Sequence, residues 1–112
     1  MTAAPRSAVP ARTATQRQEA LDKALATRQE RARLRGALKG GDIHPADVIS
    51  GSASNQVWAG VKVLWLLESV PGMGPVRAER LMASLAIAPS RRVQGLGERQ
   101  RASLVRELRG ER

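Results

Sequence analysis

The stretch that decides the fold is residues 67–77, Leu-Glu-Ser-Val-Pro-Gly-Met-Gly-Pro-Val-Arg. An apolar segment enters it, the chain turns through two glycines, and a second helix begins at Pro75, where the missing N–H of proline costs nothing. Gly72 and Gly74 permit a positive φ and place no side chain between the backbone and a ligand. The sequence therefore predicts a hairpin that leads into a helix N-terminus with unpaired amides, a geometry that binds phosphate.

Basic residues follow this hairpin in two places. Arg77 and Arg80 lie one turn apart on one face of the second helix. Residues 90–97, the basic loop, read Ser-Arg-Arg-Val-Gln-Gly-Leu-Gly. We expect its apolar residues, Val93 and Leu96, to hold the loop against the core. Its polar side chains should then face solvent, namely Arg91, Arg92 and Gln94.

The charge balance predicts a polyanionic partner. The 112 residues carry a formal net charge of +9 and have a pI of about 11.7. Three of the 19 basic residues are lysines and the remaining 16 are arginines. An excess of this size is typical of proteins that bind nucleic acid. A GC-rich genome would explain arginine in place of lysine, but it would not explain the excess of basic over acidic residues.

Composition also excludes several kinds of site. Cysteine is absent, which excludes disulfides and thiolate metal sites. Phe and Tyr are absent, and Trp58 and Trp65 are the only large rings, so we do not expect aromatic base-stacking platforms of the RRM or OB type. His44 is the one histidine and stands apart from any acid–base constellation, so we expect no enzyme, no catalytic residue, no cofactor and no metal. No apolar run has membrane-spanning length and the N-terminus lacks a signal-peptide core, so we expect a cytoplasmic protein.

The chain divides into three parts. Residues 1–14 form a basic tail of prolines and small residues, which we expect to be disordered. Residues 15–40 predict one long helix, capped by Thr15 and stopped by a pair of glycines. Residues 41–110 predict a helical core. Five basic residues oppose one acidic residue within residues 28–39, and this run is either a solvated face or a second nucleic-acid contact.

Two short helices are predicted at the start of the core. Pro45 suits the first helical position, with His44 as its N-cap, although histidine is not a favoured cap. Ser54 is the predicted N-cap of a second short helix over residues 55–59. Both assignments come from local capping signals alone.

The remaining segments of the core are also predicted to be helical, which makes the fold class all-α. Residues 61–69 are nearly all apolar, and the high β-propensity of Val61 and Val63 makes them ambiguous. We assign a buried helix because the segment must enter the hairpin. Residues 75–86 have the apolar spacing of an amphipathic helix, and a last helix spans residues 98–109.

The order of these motifs resembles the actinobacterial integration host factor family. A helix, then Val-Pro-Gly-Met-Gly-Pro-Val-Arg-Ala, a second helix, the basic loop and a final helix follow that family from about residue 54 to residue 108. The resemblance implies an all-α fold, in which a long N-terminal helix packs on a helix-two-turns-helix core similar to one in a small-subunit ribosomal protein. It also implies a nucleoid-associated architectural protein that binds double-stranded DNA with little sequence specificity and supports phage integration, with an integrase or recombinase as a further partner. We expect a monomer.

Carried onto this sequence, the resemblance and the hairpin argument predict a single set of DNA-binding residues. They are Pro71, Gly72, Met73, Gly74, Val76, Arg77, Arg80, Arg91, Arg92, Gln94 and Gly95. Three positions depart from the family's pattern. Pro75 stands where a lysine is common, Gln94 where an arginine is usual, and Ala86 where a glycine commonly ends the helix. These departures predict fewer charged contacts at the hairpin and the loop and a different turn after the helix.

Two other functions remain open from the sequence. One is RNA binding, because the ribosomal relative uses the same core. The other is a protein-interaction module that accompanies a recombinase.

Overall fold

A computed structural model describes residues 13–110, which form six α-helices and two 3-10 turns. The α-helices are α1 (Ala14–Gly40), α2 (Pro45–Gly51), α3 (Gln56–Gly60), α4 (Val63–Glu68), α5 (Pro75–Ser84) and α6 (Glu98–Leu108). The 3-10 turns are Ser52–Ser54 and Val93–Gly95. No strand occurs within the described range, so the expected all-α fold is confirmed. Most of the predicted tail, residues 1–12, lies outside that range.

The long helix begins earlier than predicted. Thr13, not Thr15, is the N-cap, because its hydroxyl accepts from the Gln16 N–H at 3.0 Å while the Gln16 side chain accepts from the Thr13 N–H at 2.9 Å. This reciprocal pair is a capping box, which satisfies two otherwise unpaired donors. At the other end Gly41 has a φ of 82°, so the stop predicted there is confirmed.

Only the C-terminal part of α1 packs on the core. Leu34 and Leu38 are its buried residues, whereas Leu21 and Leu25 remain 63% and 50% exposed. A helix of 27 residues is about 40 Å long, which accounts for the elongated 66 × 28 × 26 Å shape of the described chain. No helix of residues 13–110 is long and apolar enough to span a membrane.

The caps of the two short helices gave one correct and one wrong prediction. His44 caps α2 as predicted, since its Nδ1 accepts from the Ala46 N–H at 3.1 Å. Ser54 does not cap α3. Its hydroxyl donates backward to the Gly51 carbonyl, and the side chain of Asn55 accepts from the first amides of α3 instead. Asparagine ranks with or above serine as an N-cap, so the nearer residue prevails.

The helix that enters the hairpin is shorter than predicted. Lys62 forms an isolated antiparallel bridge with Arg92, so α4 begins only at Val63. The Val63 N–H donates to the Arg91 carbonyl at 2.9 Å, and the Val93 N–H donates to the Val61 carbonyl at 3.0 Å. The β-propensity of this segment is therefore realised where the basic loop supplies a partner.

The core lies between α4 and the helices that surround it. Its fully buried members are apolar side chains from α2, α4, α5, α6 and the basic loop, namely Val48, Ile49, Val63, Leu66, Leu67, Ala78, Val93 and Leu104. Val93 and Leu96 are buried, so their predicted role as anchors of the loop is confirmed. An exposed ion pair of 2.9 Å between Arg109 and Asp47 further links α6 to α2.

Ala86, which stands where the family commonly has glycine, lies in the turn that follows α5. The helix stops at Ser84, and Ala86 adopts a φ of 57°. Ala86 therefore adopts a left-handed conformation that glycine would favour, with a Cβ present, at a cost of roughly 1–2 kcal/mol. The Ala86 carbonyl accepts from the Gln100 side chain at 2.8 Å, which holds the turn against α6.

Replacing Ala86 with glycine is expected to stabilise the protein by about 1 kcal/mol, because glycine adopts this conformation without the Cβ penalty. Urea unfolding followed by circular dichroism measures the change. Ala102→Gly, at an exposed position within α6, is the matched control and should destabilise by about 1 kcal/mol. A loss of stability in both variants would contradict strain at Ala86.

Candidate nucleic-acid interface

The two glycines of the hairpin have different roles. Gly72 has a φ of 81°, as predicted. Gly74 does not use positive φ. It is the N-cap of α5, with φ −79° and ψ 169°, a conformation open to any residue. A Cβ built at Gly74 meets no atom within 4 Å, so the protein itself does not require glycine at this position.

The N-terminus of α5 is open to solvent. Pro75 supplies no N–H, and the first intrahelical bond runs from the Ala78 N–H to the Gly74 carbonyl at 3.0 Å. The amides of Val76 and Arg77 precede that bond and are the donors that a helix leaves unpaired. No side chain of the described chain caps this end, and its first turn holds no acidic residue. The arrangement can accept an anion at the positive end of the helix dipole.

Side chains around the hairpin divide into anchors and exposed groups. Met73 is partly buried and packs against the core, so it anchors the turn. Arg77 folds back and donates from Nη1 to the Gly72 carbonyl at 3.2 Å, which places its charge over the hairpin. Arg80 and Pro71 are exposed beside it.

The basic loop presents its polar side chains as predicted, with Arg91, Arg92 and Gln94 all exposed. The Arg91 Nη1 donates to the Gly95 carbonyl at 2.9 Å, and the Arg92 Nη1 donates to the Gly60 carbonyl. A Cβ at Gly95 would lie 3.1 Å from the Arg91 side chain, so glycine gives Arg91 room to close over the loop.

The hairpin and the basic loop lie at opposite ends of α4. The loop pairs with residues 61–63, whereas the hairpin follows Glu68. The six-residue helix α4 connects the two elements. The structure therefore holds the predicted residues as two separate groups, one at each end of α4.

A third group of basic residues adjoins Arg92. Arg31 of α1, Lys62, Trp65 and Arg92 line a cleft of about 200 Å³. Arg28 and Arg35 extend it along the same face of α1, and the Arg35 guanidinium lies 5.1 Å from the centre of the Trp65 ring. These residues form the basic cleft: Arg28, Arg31, Arg35, Lys62, Trp65 and Arg92.

Two further observations concern residues of the basic cleft. The Nε of Arg31 is buried and has no hydrogen-bond partner among the described residues. Lys62 was not among the DNA-binding residues predicted from the sequence, because its position in the cleft depends on a bridge to Arg92, thirty residues away. The β-propensity around it was the available signal.

Residues 13–110 hold no group of three or more His, Asp or Glu side chains that could bind a metal ion. His44 is occupied as the cap of α2.

Known families and solved structures include proteins similar to this chain. Residues 38–108 match the family model of the S13-like H2TH domain, where H2TH denotes helix-two-turns-helix. A solved structure of sIHF bound to an 8-base-pair palindromic DNA is similar, with a TM-score of 0.73 and 47% sequence identity. The match covers 78% of this chain and 98% of that one. The class is therefore that of small proteins with an S13-like H2TH domain.

Two curated relatives narrow the class. The chain is 49% identical over 103 residues to the integration host factor of Streptomyces coelicolor, covering 90% of this chain and 94% of the relative. It is 43% identical over 101 residues to the integration host factor of Mycobacterium tuberculosis, covering 90% and 96%. The chain belongs to the actinobacterial integration host factor family.

Proposed function

We propose that this chain is a nucleoid architectural protein that binds double-stranded DNA through its phosphates and has no enzymatic activity of its own. The observation that carries the proposal is the placement of an uncapped helix N-terminus and a pair of exposed arginines at opposite ends of α4. A net charge of +9 supports a polyanionic ligand, and the DNA-bound relative supports duplex DNA as that ligand.

The hairpin acts as a backbone clamp. One phosphate is held by the amides of Val76 and Arg77, and the absence of a side chain at Gly74 lets it approach. The Arg77 guanidinium above the Gly72 carbonyl adds positive charge beside it. Contacts of this kind fix the position of the protein on the duplex but read no sequence.

The basic loop holds the other strand. Its arginines, Arg91 and Arg92, lie at the end of α4 opposite the clamp. We infer that the clamp and the loop contact phosphates of different strands, with Gln94 as an uncharged third contact. If an arginine enters the minor groove instead, narrow A·T-rich segments will be preferred.

The basic cleft extends the contact from Arg92 onto α1. Arg31 and Lys62 place two further charges beside Arg92. Of the two interpretations open for the basic run of α1, this placement favours nucleic-acid contact over a merely solvated face.

We further infer that the chain acts as a monomer in the cytoplasm, on the nucleoid, with a phage integrase or recombinase as a second partner. The name of the relatives supports the integration role. RNA binding is the second candidate function, and the S13-like family model favours it. A competition binding assay with duplex DNA and folded RNA of equal length separates the two functions, because each predicts tighter binding of a different nucleic acid.

The double variant Arg91→Ala/Arg92→Ala is expected to weaken DNA binding roughly 30-fold, since each lost charged contact is worth about 1 kcal/mol. The loss should be similar on duplexes of unrelated sequence, because phosphate contacts are not specific. Fluorescence anisotropy with labelled duplexes measures it. The charge-matched control, Arg99→Ala/Arg106→Ala on α6, should lose much less. Unchanged affinity in the loop variant would show that the loop is not the site.

The variant Gly74→Ala is expected to weaken DNA binding about tenfold without lowering the melting temperature, because its Cβ enters open space that the phosphate must occupy. Gly36→Ala, on the face of α1 opposite Leu34 and Leu38, is the control and should bind normally. Gly72→Ala should instead destabilise the fold by roughly 1–2 kcal/mol, since its φ is positive. Full affinity in Gly74→Ala would mean that the α5 amides do not hold a phosphate.

A further inference from the structure

The side chain of Arg101, in the first half of α6, joins three separate segments of the chain. Its Nη1 donates to the Ile49 carbonyl at 2.8 Å and to the Ser52 hydroxyl at 3.0 Å. Its Nη2 donates to the Val93 carbonyl at 3.1 Å. The guanidinium is partly buried between α2, the 3-10 turn after it and the basic loop.

These contacts use properties that only arginine has among the basic residues. Its planar fork carries several donors in fixed directions, so one side chain can bridge two carbonyls that face different ways. The Ile49 carbonyl belongs to the last turn of α2, where a cation also interacts favourably with the helix dipole. A lysine at this position would keep the charge but could not span all three acceptors.

The third acceptor belongs to the part of the loop that carries the proposed DNA contacts. Val93 stands directly between Arg92 and Gln94. Its N–H donates to the Val61 carbonyl at 3.0 Å, and its carbonyl accepts from Arg101. The side chain of Val93 is fully buried. The Val93 peptide is thus held from the α4 side by its N–H and from the α6 side by its carbonyl.

We propose that Arg101 is a positioning residue for DNA binding: it holds the basic loop in the conformation that presents Arg91 and Arg92, and itself contacts no phosphate. The inference rests on the proposed function, since it assigns Arg101 a role in the same interface. It predicts that removing the fork, with no change in net charge, lowers affinity by loosening the loop.

The test compares two charge-conserving variants of the full chain, Arg101→Lys and Arg106→Lys. Arg106 is exposed on the same helix and makes a single long contact of 3.4 Å to Ser103. DNA affinity is measured by anisotropy well below the unfolding temperature. We expect Arg101→Lys to bind about tenfold more weakly, from the loss of one or two hydrogen bonds that order the loop. Arg106→Lys should change affinity less than about twofold.

A double-mutant cycle separates positioning from a general structural role. If Arg101 acts through the loop arginines, then adding Arg101→Lys to the Arg91→Ala/Arg92→Ala variant will cause almost no further loss. A full and additive tenfold loss in that background would overturn the proposal. Equal affinity of Arg101→Lys and the native chain would overturn it as well.

Two further comparisons keep the result decisive. If Arg101→Lys lowers the folded fraction, Ser52→Ala, which removes one of the three acceptors, enters the same cycle with an expected loss of about threefold. An additive loss of affinity in that cycle, or no loss, also overturns the inference.

Normal binding by Arg91→Ala/Arg92→Ala alone contradicts the proposed loop contact. A different outcome contradicts only the role of Arg101. In it, Arg91→Ala/Arg92→Ala weakens binding, while Arg101→Lys either causes a further, additive loss of affinity or does not change the affinity at all.

Discussion

Two backbone hydrogen bonds between the segment before α4 and the basic loop fix the positions of the exposed basic groups. They join Val93 to Val61 and Arg91 to Val63, at 3.0 and 2.9 Å. Because α4 leads directly into the hairpin, anchoring the loop at its start also fixes the distance between loop and hairpin. The side chains of Leu66 and Leu67 on α4 are fully buried in the core. The geometry of the proposed interface depends on this short pairing.

The hairpin could be predicted from the sequence because its signals are local. Proline at the first helical position and a glycine with positive φ each act within a few residues, and the structure contains both. The caps were less certain because neighbouring polar residues compete: Thr13 prevails over Thr15, and Asn55 over Ser54. The pairing of Lys62 with Arg92 and the contacts of Arg101 join residues far apart in the chain. No local pattern distinguishes Arg101 from the other arginines of α6.

The departures from the family's pattern have different physical consequences. Pro75 stands in place of a charged residue and begins α5, and no side chain of the described chain caps that end of the helix. Ala86 adopts a left-handed conformation at the cost of strain. Gln94 leaves the loop with two arginines, while the basic cleft places Arg31 and Lys62 next to Arg92. The basic cleft thus adds positive charge beside the loop, at the end of α4 away from the hairpin.

The central claim is that binding is electrostatic, through phosphates held at both ends of α4. The most direct test is a mobility-shift titration of the native chain with one duplex over a range of salt concentrations. Neutralisation of about five phosphates predicts that log affinity falls with log salt at a slope of about −4 to −5. A slope near zero would contradict the account.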